Sequence, residues 1–495
     1  MICVSIGRGR RRQVLEVARQ LVEQGTELVE LRLDYLRGKI QLGRLLEERP
    51  CPVVVTIRRE CDGGRFTGRE EDRQVLLRSA IASGVEYVDL EEDIAASIPR
   101  FGDTKRIVSH HDFRKTPDNL EEIHARLAAL DADIVKLATM ANSPRDNLRM
   151  LRLVQHSKIP TVGLCMGEIG TPSRILAGRF GAPFTFATFH HERTLAPGQL
   201  SFQEMKENYH YDDITPETEI YGVIGDPIGH SLSPLIHNTS FREHGLAKAY
   251  IPFRVPREDL SDFFEDAREL GLCGLSVTIP HKEGVLDHLT SMDEGVRGIG
   301  AANTVVFDGD SQRGYNTDYQ AAMDSLNQAF RRIDVKATDV RRMTALILGS
   351  GGVARAIGYG LAEKGCEVVI TSRTTENAEK LADRLRCGAV EWENRYSVDT
   401  DILVNCTPLG MHPKVDETPF EKLEIKPSMV VFDTVYNPEN TLFIKDARSR
   451  GCHVVTGVDM FVRQAALQYQ LFTGRDAPDE VMRSVLKRAT SAVKF

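Results

Sequence analysis

The stretch Asp133-Ile134-Val135-Lys136-Leu137-Ala138-Thr139-Met140 reads as a buried strand with one lysine near its centre. Apolar residues flank Lys136 on both sides, and no carboxylate lies within the three residues that follow it. Burial of an unpaired lysine disfavours its charged form. A neutral amine held on a strand is a nucleophile for a carbonyl carbon. The competing reading is a lysine whose stem crosses the strand and whose head reaches water. Those eight residues leave both readings open; the surrounding chain decides.

Short apolar runs recur on either side, at 2–6, 28–33, 52–57, 87–90, 106–110, 133–140, 160–166 and 184–189, with amphipathic segments between them at 11–24, 72–83, 120–130 and 143–156. About eight strand–helix units in roughly 200 residues is the count and length of a (β/α)8 barrel. An open doubly wound sheet is the alternative, and the count favours the barrel. In a barrel the chemistry gathers at the C-terminal strand ends. Those ends here carry Glu30 and Arg32, Arg58, His110 and His111, Lys136 and later Arg174. Singly, such residues are commonly solvated rim. Together they supply a nucleophilic amine, an acid/base imidazole and guanidinium clamps for an anionic, oxygen-rich substrate.

The chain has 495 residues, too many for one core, and about two to four domains are expected. Its 41% hydrophobic and 27% charged residues are those of a soluble globular protein. A net charge of −8 argues against a general nucleic-acid binder. The nine cysteines form no CxxC pair, which suits reduced cytoplasmic thiols and no zinc site. The sequence enters a strand pattern from Met1 and contains no apolar run near the roughly 20 residues that span a bilayer, so neither a signal peptide nor a membrane partner is expected. Residues 204–219 are polar and aperiodic and read as a short join.

Beyond the join a strand reopens at 221–225 and runs into Asp226-Pro227-Ile228-Gly229-His230-Ser231-Leu232-Ser233-Pro234. Ser231 or Ser233 could cap a helix; two hydroxyls around one turn also suit a ligand carboxylate. Gly274–Lys282 reads as a strand ending in a lysine, and Asn303 and Asp318 fall at the ends of further short strands. A lysine–aspartate pair in a cleft can move a proton to or from an alcohol oxygen. The clearest signal is Thr344-Ala345-Leu346-Ile347-Leu348-Gly349-Ser350-Gly351-Gly352-Val353-Ala354. It is a strand, a glycine turn and a helix start, the arrangement that brings a pyrophosphate onto a helix N-terminus. The next strand, 366–371, ends in Ser372-Arg373-Thr374 where an NAD site has an acid for the ribose 2′-hydroxyl; an arginine with hydroxyls suits the 2′-phosphate of NADP(H). Later strands are expected to carry 401–411 with Thr407, 430–436 with Tyr436, and Gly457–Met460, followed by two helices at about 460–471 and 479–493.

The motifs Glu30-Leu31-Arg32-Leu33-Asp34, Arg58 with Gly63-Gly64, Ser109-His110-His111-Asp112-Phe113, Lys136, Ser173-Arg174 and Ala196-Pro197-Gly198-Gln199 resemble a type I 3-dehydroquinate dehydratase over about 1–207. The resemblance implies that Lys136 forms an imine with the substrate ketone, and that His111 removes the neighbouring proton and later delivers one to the departing hydroxyl. Arg32, Arg58 and Arg174, with Ser5, Glu30 and Gln199, would hold the carboxylate and hydroxyls. Two positions depart from the family. Asp62 replaces a glutamate that orients the histidine, and Leu195 stands where a serine or threonine is common, leaving Thr194 as a substitute donor. Retained but slower activity is expected.

Residues from about 219 onward resemble shikimate dehydrogenase through Ser231, Ser233, Thr278, Lys282, Asn303, Asp318, the 349–352 turn, Ser372-Arg373-Thr374, 405–411 and Gln464. Ser276 departs from the asparagine of bacterial relatives. The resemblance implies that Lys282 and Asp318 handle the proton on the substrate oxygen. Ser231, Ser233, Thr278, Asn303, Tyr436 and Gln464 would hold the ring substituents, and Gly349–Ala354, Ser372–Thr374, Thr407 and Gly457 the cofactor.

The implied architecture is an α/β chain. A TIM barrel (1–212) precedes a two-lobed dehydrogenase with a substrate lobe (219–325, completed by helices in 460–495) and a Rossmann NADP-binding lobe (326–459). The implied partners are 3-dehydroquinate and 3-dehydroshikimate or shikimate, with no nucleic acid, no membrane, no metal and room for an oligomer. Rival readings are an aldolase barrel joined to an unrelated NADP dehydrogenase, a quinate-oxidising second half, and a non-enzymatic sensor built from the same domains.

Overall fold

The computed structural model describes residues 1–38, 40–190 and 195–490. The expected runs become eight parallel strands: β1 (Ile2–Ile6), β2 (Leu28–Arg32), β3 (Val53–Thr56), β4 (Tyr87–Glu91), β5 (Lys105–Asp112), β6 (Ile134–Met140), β7 (Thr161–Met166) and β8 (Thr185–Thr188). Between them lie α1 (Arg11–Glu23), α2 (Leu42–Glu47), α3 (Glu70–Ala82), α4 (Glu92–Ala95), α5 (Leu120–Ala128), α6 (Arg145–His156) and α7 (Thr171–Ile175). The strands follow one another in space from β7 down to β1, and β8 pairs with β1. No ladder joins β7 to β8 among the described residues, so the barrel is nearly closed. Its seam is taken by the chain returning after β8: Gly167 N–H donates to Pro197 O at 3.1 Å, and Thr188 N–H to Leu200 O at 2.9 Å.

Side chains alternate across a strand, so every second residue faces the barrel axis. That parity explains the floor, where Cys3, Leu28, Val54, Ile107, Ile134, Val162 and Phe184 pack as one apolar cluster. It also explains the layer above. Residues two positions further along each strand (Ser5, Glu30, Thr56, Asp89, Ser109 and Lys136) are polar and buried. The apolar floor excludes water from below, so the polar layer opens only toward the C-terminal strand ends.

The chain divides into two compact units, 1–234 with 245–272, and 235–244 with 273–495. Besides the barrel, the first unit holds the parallel pair β9 (Glu219–Gly225) and β10 (Lys248–Arg254), and α9 (Leu260–Glu269). The helix α8 (Ser233–Glu243) begins after the serine-containing loop. Arg145 and Arg152 of α6 pair with α9 at Asp266 (2.9 Å) and Glu269 (2.6 Å).

In the second unit β11 (Leu272–Val277) runs antiparallel to β13 (Thr304–Asp308), which forms a hairpin with β14 (Ser311–Tyr315); β12 (Ser291–Met292) lies parallel to β14. The helices α10 (Glu294–Ile299), α11 (Thr317–Arg332) and α12 (Ala337–Val340) lead to a second sheet of β15 (Thr344–Leu348), β16 (Glu367–Thr371), β17 (Gly388–Ala389), β18 (Ile402–Asn405), β19 (Val430–Asp433) and β20 (His453–Val455). Its order β17-β16-β15-β18-β19-β20 is the doubly wound order 3-2-1-4-5-6, with the switch point between β15 and β18. The helices α13 (Gly352–Glu363), α14 (Thr375–Leu385), α15 (Leu442–Ser449), α16 (Gly457–Thr473) and α17 (Asp479–Thr490) complete it.

Two sequence expectations are corrected. Gly457–Met460 is not a strand but the first turn of α16. Thr456 caps that turn, its Oγ1 accepting from Asp459 N–H at 3.3 Å, and the strand is the shorter β20 before it. Lys282 is not at a strand end either; β11 stops at Val277, and the lysine lies in the turn beyond Pro280. The expected extension of the last helix past 490, and Thr194, lie outside the described residues.

The seam makes a stability prediction. Gly198 has φ +68°, and a Cβ there would lie 2.2 Å from Gly167 O. Gly198→Ala is expected to lower stability by about 1–3 kcal/mol, read as a lower Tm, with a fall in whatever activity the barrel mouth supports. An unchanged Tm would contradict the seam assignment.

Candidate active sites

The barrel mouth contains a single electrostatic cluster. Lys136 Nζ donates to Asp89 Oδ2 at 2.9 Å, lies 3.8 Å from Glu30 Oε1, and sits 4.1 Å over the Phe186 ring. The expectation of an unpaired lysine is therefore corrected. Its partners come from strands far away in sequence, and the inward parity of β2, β4 and β6 brings them together. Arg58 donates to the same Asp89 Oδ2 at 2.8 Å and to Glu91 and Ser109 at 3.0 Å. Ser5 and Thr56 hydroxyls donate to Glu30 at 2.5 and 2.7 Å. Arg32 is held by Asp34 through two bonds of 2.8 and 2.9 Å. Burial by itself would raise both acids. Arg58 and Lys136 instead hold the Asp89 carboxyl well below the usual carboxylate range, and Lys136 and Arg32, with the Ser5 hydrogen bond, hold Glu30 below it.

Of the two adjacent histidines, His111 lines this cavity with Lys136, while His110 faces Glu92 at 3.5 Å. Burial, then the Arg58 and Lys136 cations, push the His111 imidazolium well below its ordinary range, so the ring is a neutral base at neutral pH. Phe113 stacks on His111 with centroids 6.3 Å apart. Gly63 is needed beneath it, because a Cβ there would meet Phe113 at 2.2 Å. Arg174 is the exception in the cluster. It is fully buried, burial pulls it down to about 10, and it has no acidic partner among the described residues. Among the described residues its Nη2 donates to Pro197 O at 3.3 Å, and its Nε has no partner. A buried guanidinium with an unused donor on a cavity wall is built to receive an anion.

Asp62 also lines the cavity, but its carboxylate accepts from Arg59 Nε at 2.6 Å. Gln199 Oε1 accepts from Leu195 N–H at 3.0 Å, fixing the loop that roofs the site. Sequence reasoning missed Asp89 and Glu91. The run 87–90 had been read only as a strand, although two acids at period two on a strand expected to line a barrel were the available signal.

In the second unit, Lys282 Nζ donates to Asp318 Oδ2 at 2.6 Å, with 16% and 11% of the two side chains exposed. A Cβ at Gly352 would lie 3.3 Å from Lys282 Cδ, so this pair stands directly against the glycine turn. Asn303 is buried; its amide donates to Thr317 Oγ1 at 2.9 Å and its Oδ1 accepts Thr317 N–H at 2.8 Å, which ties β13 to the start of α11 carrying Asp318. Thr278 follows β11, Gln464 is buried on α16, and Tyr436 stacks on Phe461 at 4.3 Å. One turn beyond Gln464, and unnoticed in the sequence, Gln468 accepts from Ser276 Oγ at 2.8 Å and donates to Thr304 Oγ1 at 2.9 Å. Ser276 is thus engaged in the core. Ser231 and Ser233 lie in the first unit, Ser231 Oγ accepting from Ser233 N–H at 3.3 Å.

The glycine turn fits a dinucleotide. Gly349 has φ +114°, and a Cβ there would meet Cys406 O at 2.9 Å, across the switch point. Gly351 caps α13, whose first residues are Gly352, Val353 and Ala354; no acid occupies that turn. Ser350 Oγ bonds Ser372 Oγ at 3.2 Å. Thr374 caps α14, and Arg373 between them is exposed with no acidic partner among the described residues. Thr407 bonds Asn405 Oδ1 at 2.7 Å at the end of β18, and a Cβ at Gly457 would meet Val435 O at 2.2 Å.

A family model described as type I 3-dehydroquinase matches residues 2–216. Models described as shikimate dehydrogenase substrate binding domain and shikimate 5′-dehydrogenase C-terminal domain match 223–305 and 457–487. One described as NADP oxidoreductase coenzyme F420-dependent matches 344–431. A shikimate dehydrogenase (NADP+) of Methanothermobacter thermautotrophicus is 40% identical over 285 residues, 56% of this chain and 98% of that one. A crystal structure of shikimate dehydrogenase in complex with NADP+ matches with TM-score 0.52 and 32% identity, covering 56% of this chain and 98% of that one. The chloroplastic bifunctional 3-dehydroquinate dehydratase/shikimate dehydrogenase of Arabidopsis thaliana is 35% identical over 489 residues, 94% of this chain and 81% of that protein. That alignment runs through both sites, and the chain belongs to the family of bifunctional 3-dehydroquinate dehydratases/shikimate dehydrogenases.

Proposed function

We propose that the barrel dehydrates 3-dehydroquinate to 3-dehydroshikimate through an imine on Lys136, and that the second half reduces 3-dehydroshikimate to shikimate. The observation that carries the first step is the cavity in which Lys136, neutral His111 and Arg174, whose Nε has no partner among the described residues, converge. Arg174 receives the substrate carboxylate. Lys136 attacks the ketone carbon, and the carbonyl oxygen leaves as water. The iminium acidifies the adjacent carbon, whose proton His111 takes, giving an enamine. The enamine expels the hydroxyl, which departs as water with the proton that His111 returns. Hydrolysis of the imine frees Lys136 and the product. Arg32, Arg58, Ser5, Glu30 and Gln199 hold the remaining oxygens, and Asp62 fixes the rim through Arg59.

In the second half, Lys282 and Asp318 deliver the proton to the new alcohol oxygen. Ser231, Ser233, Thr278, Asn303, Tyr436 and Gln464 hold the carboxylate and ring hydroxyls. When bound, NADPH supplies the hydride to the ketone carbon. Gly349, Ser350, Gly351, Gly352, Val353 and Ala354 would hold its pyrophosphate, Ser372, Arg373 and Thr374 the 2′-phosphate, and Thr407 and Gly457 the remainder. The functional boundaries proposed are 1–212, 219–325 with the C-terminal helices, and 326–459. Nine free cysteines favour a reducing, cytoplasmic setting, and among the described residues no helix is long and apolar enough to cross a membrane.

Four experiments test these assignments. NADPH consumption with 3-dehydroquinate as the sole substrate requires both halves, and Lys136→Met should abolish it while reduction of added 3-dehydroshikimate continues. Borohydride with 3-dehydroquinate should attach a reduced adduct to Lys136; an unmodified Lys136 peptide would rule out the imine.

For His111 the direction of the shift sets the pH profile. The neutral base persists below the ordinary imidazole value, so the acid limb of dehydratase kcat/KM should fall below about pH 6.5. His111→Ala should cost roughly 10²–10⁴-fold in kcat. A limb centred above the ordinary value would contradict the role.

Arg373→Gln should raise the KM for NADP+ roughly 10–100-fold while that for NAD+ changes little. Equal effects on both cofactors would remove Arg373 from the 2′-phosphate site.

A further inference from the structure

The loop between β7 and α7 of the barrel reaches the loop that carries Ser231 and Ser233. The Glu168 Oε1 atom accepts from Gly229 N–H at 3.1 Å, and Glu168 Oε2 accepts from Arg254 Nη1 at 2.9 Å. Arg254 Nε in turn donates to Asp226 Oδ1 at 2.8 Å. One carboxylate thus grips the serine loop twice, directly at Gly229 and through Arg254 at its first residue. The approach is close: a Cβ at Gly229 would lie 3.0 Å from Glu168 Oε1. From Gly229 the loop is short and wound tight. Ser231 N–H donates to Ile228 O at 3.0 Å, and Ser231 Oγ accepts from Ser233 N–H at 3.3 Å. A displacement of Gly229 therefore moves both hydroxyls.

The base of Glu168 is firm. The Asn147 amide donates to Ile169 O at 2.8 Å, and Ser173 Oγ to Gly170 O at 2.7 Å, so the loop after β7 is fastened to α6 and to α7. Arg254 and Glu168 are themselves 37% and 39% exposed, and exposed pairs contribute little to global stability. A carboxylate that adds little to stability yet holds a ligand loop by two charge-assisted bonds acts chiefly on geometry.

We propose that Glu168, a residue of the dehydratase barrel, is a positioning residue for the reductase, holding the Asp226–Ser233 loop so that Ser231 and Ser233 meet the substrate carboxylate. This rests on the role assigned to those serines above. One half of the chain thereby contributes to the substrate affinity of the other.

The test is steady-state shikimate oxidation by the full-length chain. Glu168→Ala should raise the KM for shikimate roughly three- to ten-fold, with kcat and the KM for NADP+ within two-fold. Glu168→Gln should fall between, keeping the acceptor for Gly229 but losing the charge that Arg254 pairs with. Dehydratase kcat/KM should stay within two-fold, showing an intact barrel. Gly229→Ala, which pushes the carboxylate away from the other side, should reproduce the Glu168→Ala phenotype. In a Ser231→Ala background the further effect of Glu168→Ala should shrink, because both act on one contact. An unchanged KM for shikimate in Glu168→Ala, beside a raised KM in Ser231→Ala, would overturn the positioning role alone. Unchanged KM values in Ser231→Ala and Ser233→Ala would overturn the reading of the serines and the inference with it. Parallel losses in both activities would reduce Glu168 to a structural residue.

Discussion

Lys136 and Arg58 share one carboxylate, Asp89, on the floor of the barrel mouth, and the rest of that site is arranged to make this tolerable. Burying an ion costs several kcal/mol unless its partners are close and its remaining bonds are satisfied. Around Asp89 they are: Ser109 Oγ donates to Oδ1 at 2.6 Å, and Arg58 and Lys136 donate to Oδ2. The cluster extends through Glu91 to Arg73, which is fully buried and bonded to Glu91 at 2.6 Å. The buried groups at this end of the barrel include five cations (Arg32, Arg58, Arg73, Lys136 and Arg174) and five carboxylates (Glu30, Asp34, Asp89, Glu91 and Asp146). Arg174, which has no acidic partner among the described residues, lies on the cavity wall. A guanidinium so placed suits an anionic ligand.

The roles proposed for the two lysines match two different settings. Lys136 is almost sealed from water among two acids, an aromatic face and a neutral imidazole, a setting suited to a covalent bond that must not be intercepted. Lys282 has one acid at 2.6 Å and more exposure, a setting suited to a proton that must be replenished each turnover. The chemistry follows less from the amine than from the number of its neighbours and its distance from solvent.

Much of this was legible in the sequence because parallel strands buried on both faces read as unbroken apolar runs, and all eight barrel strands were placed within a residue or two. The glycine turn after β15 was legible because the backbone needs glycine there, at φ +114°. The partners of Lys136 were not legible. Asp89 is 47 positions away, and its nearness depends on strand parity and register, which local pattern cannot supply. Gly457–Met460 misled for a different reason. A short apolar stretch after a strand fits either a strand or a buried helix start, and the deciding feature is one threonine cap. Gln468 escaped because its partners, Ser276 and Thr304, come from separate strands, and nothing local distinguishes it from Gln464 one turn earlier.

Fusion of the two halves has a structural consequence beyond placing consecutive reactions on one chain. The barrel is stabilised within itself, by the floor cluster and the ion pairs above it, so its β7–α7 loop can afford an outward-facing acid with no internal duty. A loop with the role proposed for Ser231 and Ser233 has the opposite need. It must expose hydroxyls and backbone donors, so it cannot bury itself to gain rigidity. On the proposed role of Glu168, a rigid neighbour supplies that support, reaching the loop at Gly229, two residues short of the first serine.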